Sequence, residues 1–142
     1  MYEYKFTLSK VIDGGTIEGL IDLGFGVLLK ERIRLHGIDA PEIKLQKSIK
    51  NPKERVLEKK KGIKAKLRLK ELLSHGSSQP EGLFINSVLF QKGKRGRIIG
   101  DIKYVYAKDL YNMQEGQKPW TGWKSISSQL LEEGLVTQYN KR

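Results

Sequence analysis

The sequence predicts an α+β protein that is mainly β, a small barrel of strands that carries helices. Near the N-terminus, alternating apolar and polar residues joined by glycine-rich turns favour a meander over a parallel sheet. A long lysine-rich segment with helical periodicity follows, and then two β-rich runs and a shorter helix. At 142 residues the chain is long enough to bury its own core, and we predict a single domain over residues 1–142.

The N-terminal part is predicted to form three strands. They are expected over residues 5–12, 16–22 and 27–35. The turns between them are Asp13-Gly14-Gly15 and Gly24-Phe25-Gly26, because such glycine-rich segments are typical of tight connections between strands. The basic segment 44–53 contains Pro52 and is expected to be a mobile loop.

The first helix is predicted over residues 54–74. Its apolar residues fall near one face, and lysines cover the other. The apolar residues of that face are Val56, Ile63, Leu67, Leu72 and Leu73. His75-Gly76 followed by Pro80 is expected to end the helix, since glycine is favoured after a helix and proline cannot continue one.

The C-terminal part is predicted to contain a β-hairpin and a second helix. The expected elements are hairpin strands over 83–90 and 97–107, an aromatic loop over 111–124, a helix over 125–133 and a short closing segment over 135–139. Ser125 or Ser127 can cap the helix, and Gly134 can end it. Trp120 and Trp123 are expected to anchor the aromatic loop.

The chain has a formal net charge of +11, and most of this excess lies in one segment. Residues 44–70 contain 12 Lys or Arg against two Glu. This concentration would attract a polyanion through its phosphates, and the alternative is a solvated helix face that only aids solubility. The chain has no cysteine, no signal peptide and no bilayer-spanning run, so we expect a soluble, cytoplasmic protein without disulfides or thiolate metal sites.

The segment Ile33–Glu42 brings candidate catalytic residues together. Strand alternation places residues 33, 35 and 37 on one face and residues 34, 36 and 38 on the other. Asp39 and Glu42 flank Pro41, which fixes a turn. With Arg34, the segment places one cation and two carboxylates at a rigid strand end, which suits a divalent metal and a phosphate.

Three motifs resemble the staphylococcal nuclease (thermonuclease) family in their order and spacing. They are Val11-Ile12-Asp13-Gly14-Gly15-Thr16-Ile17, Arg34-Leu35-His36-Gly37-Ile38-Asp39-Ala40-Pro41-Glu42 and Gly96-Arg97-Ile98-Ile99-Gly100-Asp101-Ile102, and the later segment 129–135 also matches. The resemblance covers residues 6–139 or so. It implies an OB-type five-stranded Greek-key barrel with two or three helices, and calcium-dependent hydrolysis of DNA and RNA phosphodiesters.

The resemblance also implies a role for each matching residue. Asp39 and the backbone carbonyl of Ala40 would ligate Ca²⁺, a hard cation that prefers oxygen ligands. Glu42 would orient or deprotonate the attacking water. Arg34 and Arg97 would clamp the scissile phosphate and stabilise the charge that develops in the transition state.

The sequence departs from the family pattern at the metal site. The first motif of the family normally reads Asp-Gly-Asp-Thr, and Gly15 stands where its second Asp would ligate the metal. Because one carboxylate is missing, we expect Ca²⁺ to bind weakly or not at all, and hydrolysis to be weakened or lost. Whether Gly15 is natural or engineered is left open. The chain also stops at Arg142, where the family continues into a third helix.

Further contacts with nucleic acid are expected from residues near these motifs. The family often carries an aromatic residue two positions before its second arginine, but this chain has Arg95, a phosphate-binding residue type. Lys94, Lys44, Lys47 and Tyr139 are additional candidates.

Three functions stay open from the sequence. The first is a calcium-dependent endonuclease, weakened or inactive. The second is a non-catalytic nucleic-acid-binding module on the same barrel, and the third is a protein-interaction or inhibitor module with an acidic partner. Retention of Arg34, Asp39, Glu42 and Arg97 favours the first, whereas Gly15 favours the second. We expect nucleic acid as the partner, a monomeric protein and no membrane partner.

Overall fold

The computed structural model describes residues 2–41, 51–78, 82–87, 98–105 and 123–139. These residues form eight strands and two helices. The strands are β1 (Tyr2–Asp13), β2 (Thr16–Asp22), β3 (Leu28–Leu35), β4 (Ile38–Asp39), β5 (Leu83–Ser87), β6 (Ile98–Val105), β7 (Trp123–Ser125) and β8 (Thr137–Gln138), and the helices are α1 (Pro52–Ser78) and α2 (Ile126–Glu132). Neither helix is long and apolar enough to cross a membrane.

Five strands close into a barrel, which confirms the predicted α+β, OB-like fold. Their order is β3-β2-β1-β5-β6 with antiparallel neighbours, and a parallel pairing of β3 with β6 closes the ring. The short β7 pairs with the other end of β6, while β4 and β8 form a separate two-stranded ribbon. Closure pairs the strand edges that an open sheet would leave exposed.

Alternate residues of the strands point into one core. On β2 these are Ile17 and Ile21, and on β3 they are Ile33 and Leu35, all of them buried. Tyr104 of β6 is the largest fully buried side chain. The strands β2 and β3 match their predicted ranges to within one residue, because their period-2 pattern and glycine turns are local signals.

The buried face of α1 differs from the predicted one. Val56, Ile63 and Leu67 are exposed, which corrects the prediction, whereas Leu72 and Leu73 are buried as predicted. The buried residues of the helix are Gly62, Ala65, Leu69, Leu72, Leu73 and Gly76. Half of these are small, so the helix backbone lies close to the barrel. The large apolar residues at helical spacing therefore lie on a face of α1 that is displaced from the buried face.

Both ends of α1 extend beyond the predicted helix. The helix begins at Pro52, which was predicted to lie in the preceding loop, and proline is well tolerated in the first turn of a helix. It continues past Gly76 to Ser78. Gly76 serves packing here and does not end the helix, because a Cβ at this position would lie 2.8 Å from atoms of both Leu83 and Tyr104.

A pair of leucines on α1 tests which face is buried. Leu69 is fully buried (0% exposed), whereas Leu67, two residues away, is 59% exposed. We expect Leu69→Ala to lower the free energy of unfolding by about 2–5 kcal/mol, and Leu67→Ala by less than about 0.5 kcal/mol. Urea unfolding followed by circular dichroism measures both. Equal losses at the two positions would contradict the observed face.

Helix α2 is capped as predicted. The Ser125 side chain accepts a hydrogen bond from the Ser128 N–H at 3.3 Å, and Gly134, with a φ of +72°, follows the end of the helix. The Asp101 carboxylate on β6 accepts hydrogen bonds from the hydroxyls of Ser125 and Ser127. This carboxylate therefore ties the start of α2 to the barrel.

Part of the predicted aromatic loop is a strand. Trp123 begins β7, and its ring meets that of Phe84 edge-on with centroids 5.2 Å apart. The tryptophan therefore packs against β5, while 39% of its surface stays exposed. Trp120 and the rest of that predicted loop lie outside the described residues. The same holds for residues 44–50 of the predicted basic loop and for the predicted strand positions 88–90, 97, 106 and 107.

Candidate active site

Gly15 and Arg34 meet across two paired strands at one end of the barrel. Thr16, which follows Gly15, pairs with Arg34, and the Leu35 N–H donates to the Gly15 carbonyl at 2.8 Å. On its other side β3 pairs with β6, where Arg34 stands opposite Ile99. Arg34 thus projects from a strand that is held on both edges.

The guanidinium of Arg34 folds back onto backbone carbonyls. Nη1 donates to the carbonyls of Gly15 at 3.0 Å and Leu35 at 3.4 Å, and Nη2 donates to the carbonyl of Ile38 at 2.8 Å. Nη2 also lies 3.5 Å from Oδ1 of Asp39. The Arg34 side chain is 22% exposed and that of Asp39 is 63% exposed, so the ion pair lies at the surface above the carbonyl contacts. Hydrogen bonds from a charged donor are strong, and they fix the orientation of this group.

A reversal at Gly37 brings Ile38 and Asp39 back to the site. Gly37 has a φ of +80°, in the left-handed region that favours glycine, and β3 ends two residues before it. The strand alternation predicted for this segment is therefore wrong beyond β3, because Ile38 enters the core. In the β4–β8 ribbon, the Thr137 hydroxyl donates to the Asp39 carbonyl at 3.3 Å, which holds this aspartate at the rim of the barrel.

The space above Gly15 is filled by Arg34. A Cβ built on Gly15 would overlap Nη1 of Arg34 and would lie 3.6 Å from the Cβ of Ala40. The Gly15 N–H donates to Oδ1 of Asp13 at 2.8 Å, which stabilises the turn between β1 and β2. The resemblance implies a carboxylate at position 15. Gly15 has no side chain, and the guanidinium of Arg34 occupies this space instead.

Helix α1 forms the facing wall. A Cβ on Gly14 would lie 2.8 Å from the Cβ of Ala65, so the turn before β2 packs directly on this helix. An open cavity of about 540 Å³ lies between the segment 39–41 and α1, and Lys61 and Lys64 line it. Glu58 also lines the cavity, and its Oε1 lies 3.4 Å from Nζ of Lys61. The site therefore combines one guanidinium, two carboxylates and two ammonium groups at the end of the barrel.

Lys61 and Lys64 line the cavity beside the candidate site, and the sequence prediction names them only as part of the basic segment. Their signal was present in the sequence, since each lysine directly precedes a small residue, Gly62 or Ala65, that is buried against the barrel. The small buried residues define the face of α1 that contacts the barrel, and Lys61 and Lys64 lie at the border of this face.

The described residues do not by themselves fit a Ca²⁺ ion. This ion takes about six to eight oxygen ligands, several of them from carboxylates. Within the described ranges, no group of three or more His, Cys, Asp or Glu side chains is placed to hold a metal. Asp39 offers a carboxylate and Ala40 a backbone carbonyl, but the Arg34 guanidinium 3.5 Å from Oδ1 of Asp39 opposes a further cation.

Several predicted site residues lie outside the described residues, and their roles stay predictions. They are Glu42, Lys44, Lys47, Lys94, Arg95 and Arg97. The structure does bring Gly15, Arg34, Asp39 and Ala40 together. Tyr139 is exposed, and its N–H donates at 3.0 Å to a carbonyl in the turn after β3, so it lies near the rim of the barrel.

Comparison with known proteins agrees with the fold and covers the second and third motifs but not the first. The family model described as staphylococcal nuclease homologue matches residues 32–142, more than three quarters of the chain. The match includes Arg34 and Asp39 and begins after the turn that holds Gly15. A search of curated proteins finds no match. The chain belongs to the family of staphylococcal nuclease homologues.

Proposed function

We propose that this protein binds nucleic-acid phosphates at the end of the barrel and hydrolyses phosphodiester bonds there slowly. Membership of a nuclease-type family supports this proposal. The observation that carries it is the approach of Arg34 to Asp39, 3.5 Å apart, beside a cavity lined by Lys61 and Lys64. A phosphate at this place would meet cations from two walls, and a guanidinium matches paired phosphate oxygens.

Hydrolysis needs a group that activates water and cations that stabilise the charge developing on the phosphate. In this proposal Arg34 and Arg97 supply the cations, and Glu42 activates the water. Ile98, which follows Arg97, pairs with Ile33, which precedes Arg34. The two strands are parallel and Arg34 stands opposite Ile99, two residues beyond Arg97. The proposal therefore needs both arginines to reach one phosphate from different positions along neighbouring strands.

Two features support slow hydrolysis. Gly15 has no side chain that could bind a metal, so any Ca²⁺ held by Asp39 and the Ala40 carbonyl would be held weakly. Arg34 is engaged with the carbonyls of Gly15 and Ile38, and it would have to release them to reach a phosphate.

A second candidate is a non-catalytic nucleic-acid-binding module on the same barrel. The guanidinium and the two lysines favour it, because they can hold a phosphate without a metal. Both candidates require that phosphates bind at the end of the barrel, and they differ in whether the strand is cut.

Binding of single-stranded DNA is expected to weaken steeply with salt. Each phosphate that a lysine neutralises contributes roughly 0.7 to the slope of log K against log salt on single strands. We expect the double variant Lys61→Gln/Lys64→Gln to lower this slope by about 1.4. The control Lys59→Gln/Lys70→Gln removes the same charge from exposed positions of the same helix that do not line the cavity. Fluorescence anisotropy measures both, and equal effects of the two double variants would contradict phosphate binding in the cavity.

Cleavage of single-stranded DNA tests the catalytic part of the proposal. The wild-type chain and the Gly15→Asp variant are compared with Ca²⁺ and with EDTA. We expect slow Ca²⁺-dependent cleavage by the wild type and faster cleavage by the variant. If neither protein cuts but both bind DNA, the non-catalytic module is the function.

A further inference from the structure

The hairpin that joins β2 and β3 presents an apolar tip to solvent. Its exposed apolar residues are Leu23, Phe25, Val27, Leu28 and Leu29, which are five of the twelve large apolar side chains exposed in the described part of the chain. Phe25 is fully exposed, at 106% of its reference area. Five exposed apolar side chains within residues 23–29 favour a site that binds a partner or a membrane.

The tip is an ordered, convex turn. Gly24, Phe25 and Gly26 have φ values of +84°, +56° and +77°. Hydrogen bonds from the Leu23 N–H to the Val27 carbonyl at 3.0 Å and from the Val27 N–H to the Gly24 carbonyl at 2.9 Å close the turn. Apart from the adjacent residues, no atom in the described part of the chain lies within 4 Å of a Cβ built on Gly24 or Gly26, so the turn protrudes. The left-handed conformation is unfavourable for phenylalanine, and the turn accepts this strain while it projects an aromatic ring outward.

The outward face of the strands behind the tip carries an excess of positive charge. The register of β1, β2 and β3 places Lys5, Lys10, Lys30 and Arg32 on this face with Glu18 and Asp22. Glu18 is shared by three of the cations, at distances of 3.5–4.0 Å. The same register also places Glu3, Asp13 and Arg34 on this face. Five cations against four carboxylates leave it with a net charge of +1, on a chain whose total is +11.

We propose that this hairpin tip docks on an anionic membrane surface. The apolar tip would enter the boundary between headgroups and acyl chains, while the cationic face meets anionic headgroups. Stable peripheral binding needs two such signals together, an apolar insertion and a basic patch. A second copy of the chain would bring the same positive charge to the tip, so charge complementarity favours lipid over self-association.

The docked tip would leave the candidate active site accessible. The pair Thr16–Arg34 lies at one end of the β2–β3 hairpin, and the pair Asp22–Leu28 lies at the other. Six residue steps along an extended strand span about 20 Å. Membrane docking by the tip does not depend on the proposed hydrolysis, and it would be an additional function of the protein. The expectation of no membrane partner was based on the lack of a spanning segment, which surface docking does not require.

Vesicle co-sedimentation tests the proposal. The wild-type chain is mixed with vesicles of phosphatidylcholine, with and without phosphatidylserine, and we expect it to sediment with the anionic vesicles only. Phe25→Asn is expected to lower the partition coefficient by at least about tenfold. Asparagine tolerates the left-handed conformation, so the variant should keep or slightly raise its thermal midpoint.

A matched pair of leucines separates the tip from the lysine-rich helix. Leu28 in the tip and Leu67 on α1 are 58% and 59% exposed. We expect Leu28→Ser to weaken vesicle binding several-fold and Leu67→Ser to leave it unchanged. Unchanged vesicle binding by Phe25→Asn would place the lipid contact elsewhere and would overturn the proposal. Sedimentation velocity tests the alternative that a second copy of the chain binds the tip. If the wild type forms a concentration-dependent dimer that Phe25→Asn abolishes, and does not bind vesicles, the tip binds a second copy. That result would also overturn the membrane proposal.

Discussion

Replacement of Gly15 by Asp is expected to raise the rate of Ca²⁺-dependent DNA cleavage by about 100-fold or more. The new side chain has two effects. Its carboxylate adds a charged oxygen ligand beside Asp39, and its Cβ takes the space that Nη1 of Arg34 now occupies. The end of the Arg34 side chain has to move and to release its carbonyl contacts, so we expect the variant to fold with a lower free energy of unfolding. The displaced guanidinium would then be available to a phosphate. Cleavage of labelled single-stranded DNA, with Ca²⁺ or EDTA, measures the gain.

Gly15→Asn separates these two effects. Asparagine has nearly the same volume as aspartate and displaces Arg34 in the same way, but it adds no charge for a cation. We expect Gly15→Asn to give little Ca²⁺-dependent activity and Gly15→Asp to give most of the gain. Equal activity in the two variants would show that release of Arg34, and not the carboxylate, limits the wild type. Absence of cleavage by Gly15→Asp would contradict the nuclease proposal.

The fold was largely predictable because its decisive signals are local. The alternation in β2 and β3 and the cap at Ser125 each depend on a few neighbouring residues, and each appears where it was predicted. The buried face of α1 was not predictable in this way. Gly62, Ala65 and Gly76 are buried because the helix approaches the barrel closely, and this property belongs to the packed structure. In an isolated helix the two glycines would indicate a weak helix, and Ala65 would favour a helix without indicating which face is buried.

The motifs select the residues of the candidate site, whose roles stay predictions, but they do not predict the interactions of those residues. Motif order and spacing identified Arg34, Asp39 and Gly15, and the structure places all three at the end of the barrel. The contacts of Arg34 with the carbonyls of Gly15 and Ile38 depend on the reversal at Gly37, which ends the strand alternation. A pattern of side chains does not reveal where a charged group meets backbone atoms from distant segments.

Arg34→Ala is expected to damage both stability and activity. In the wild type it should lower the free energy of unfolding by about 1.5–3 kcal/mol, because the Ile38 carbonyl loses its charged donor and the Gly15 carbonyl loses one of two donors. The ion pair to Asp39 should contribute little, since that carboxylate is largely exposed. In the more active Gly15→Asp background, cleavage should fall by roughly 10²–10³-fold, the loss expected when a group that stabilises transition-state charge is removed.

Arg32→Ala is the matched control for this prediction. Arg32 lies two residues away on the same strand and is exposed, and its nearest carboxylate contact, with Glu18, is 4.0 Å long. We expect its removal to change the free energy of unfolding by less than about 0.5 kcal/mol and the cleavage rate by less than about twofold. Chemical denaturation and single-turnover cleavage measure the two effects separately. Arg34→Ala could lower stability but leave cleavage in the Gly15→Asp background unchanged. In that case Arg34 would only stabilise the turn after β3, and other cations would have to bind the phosphate.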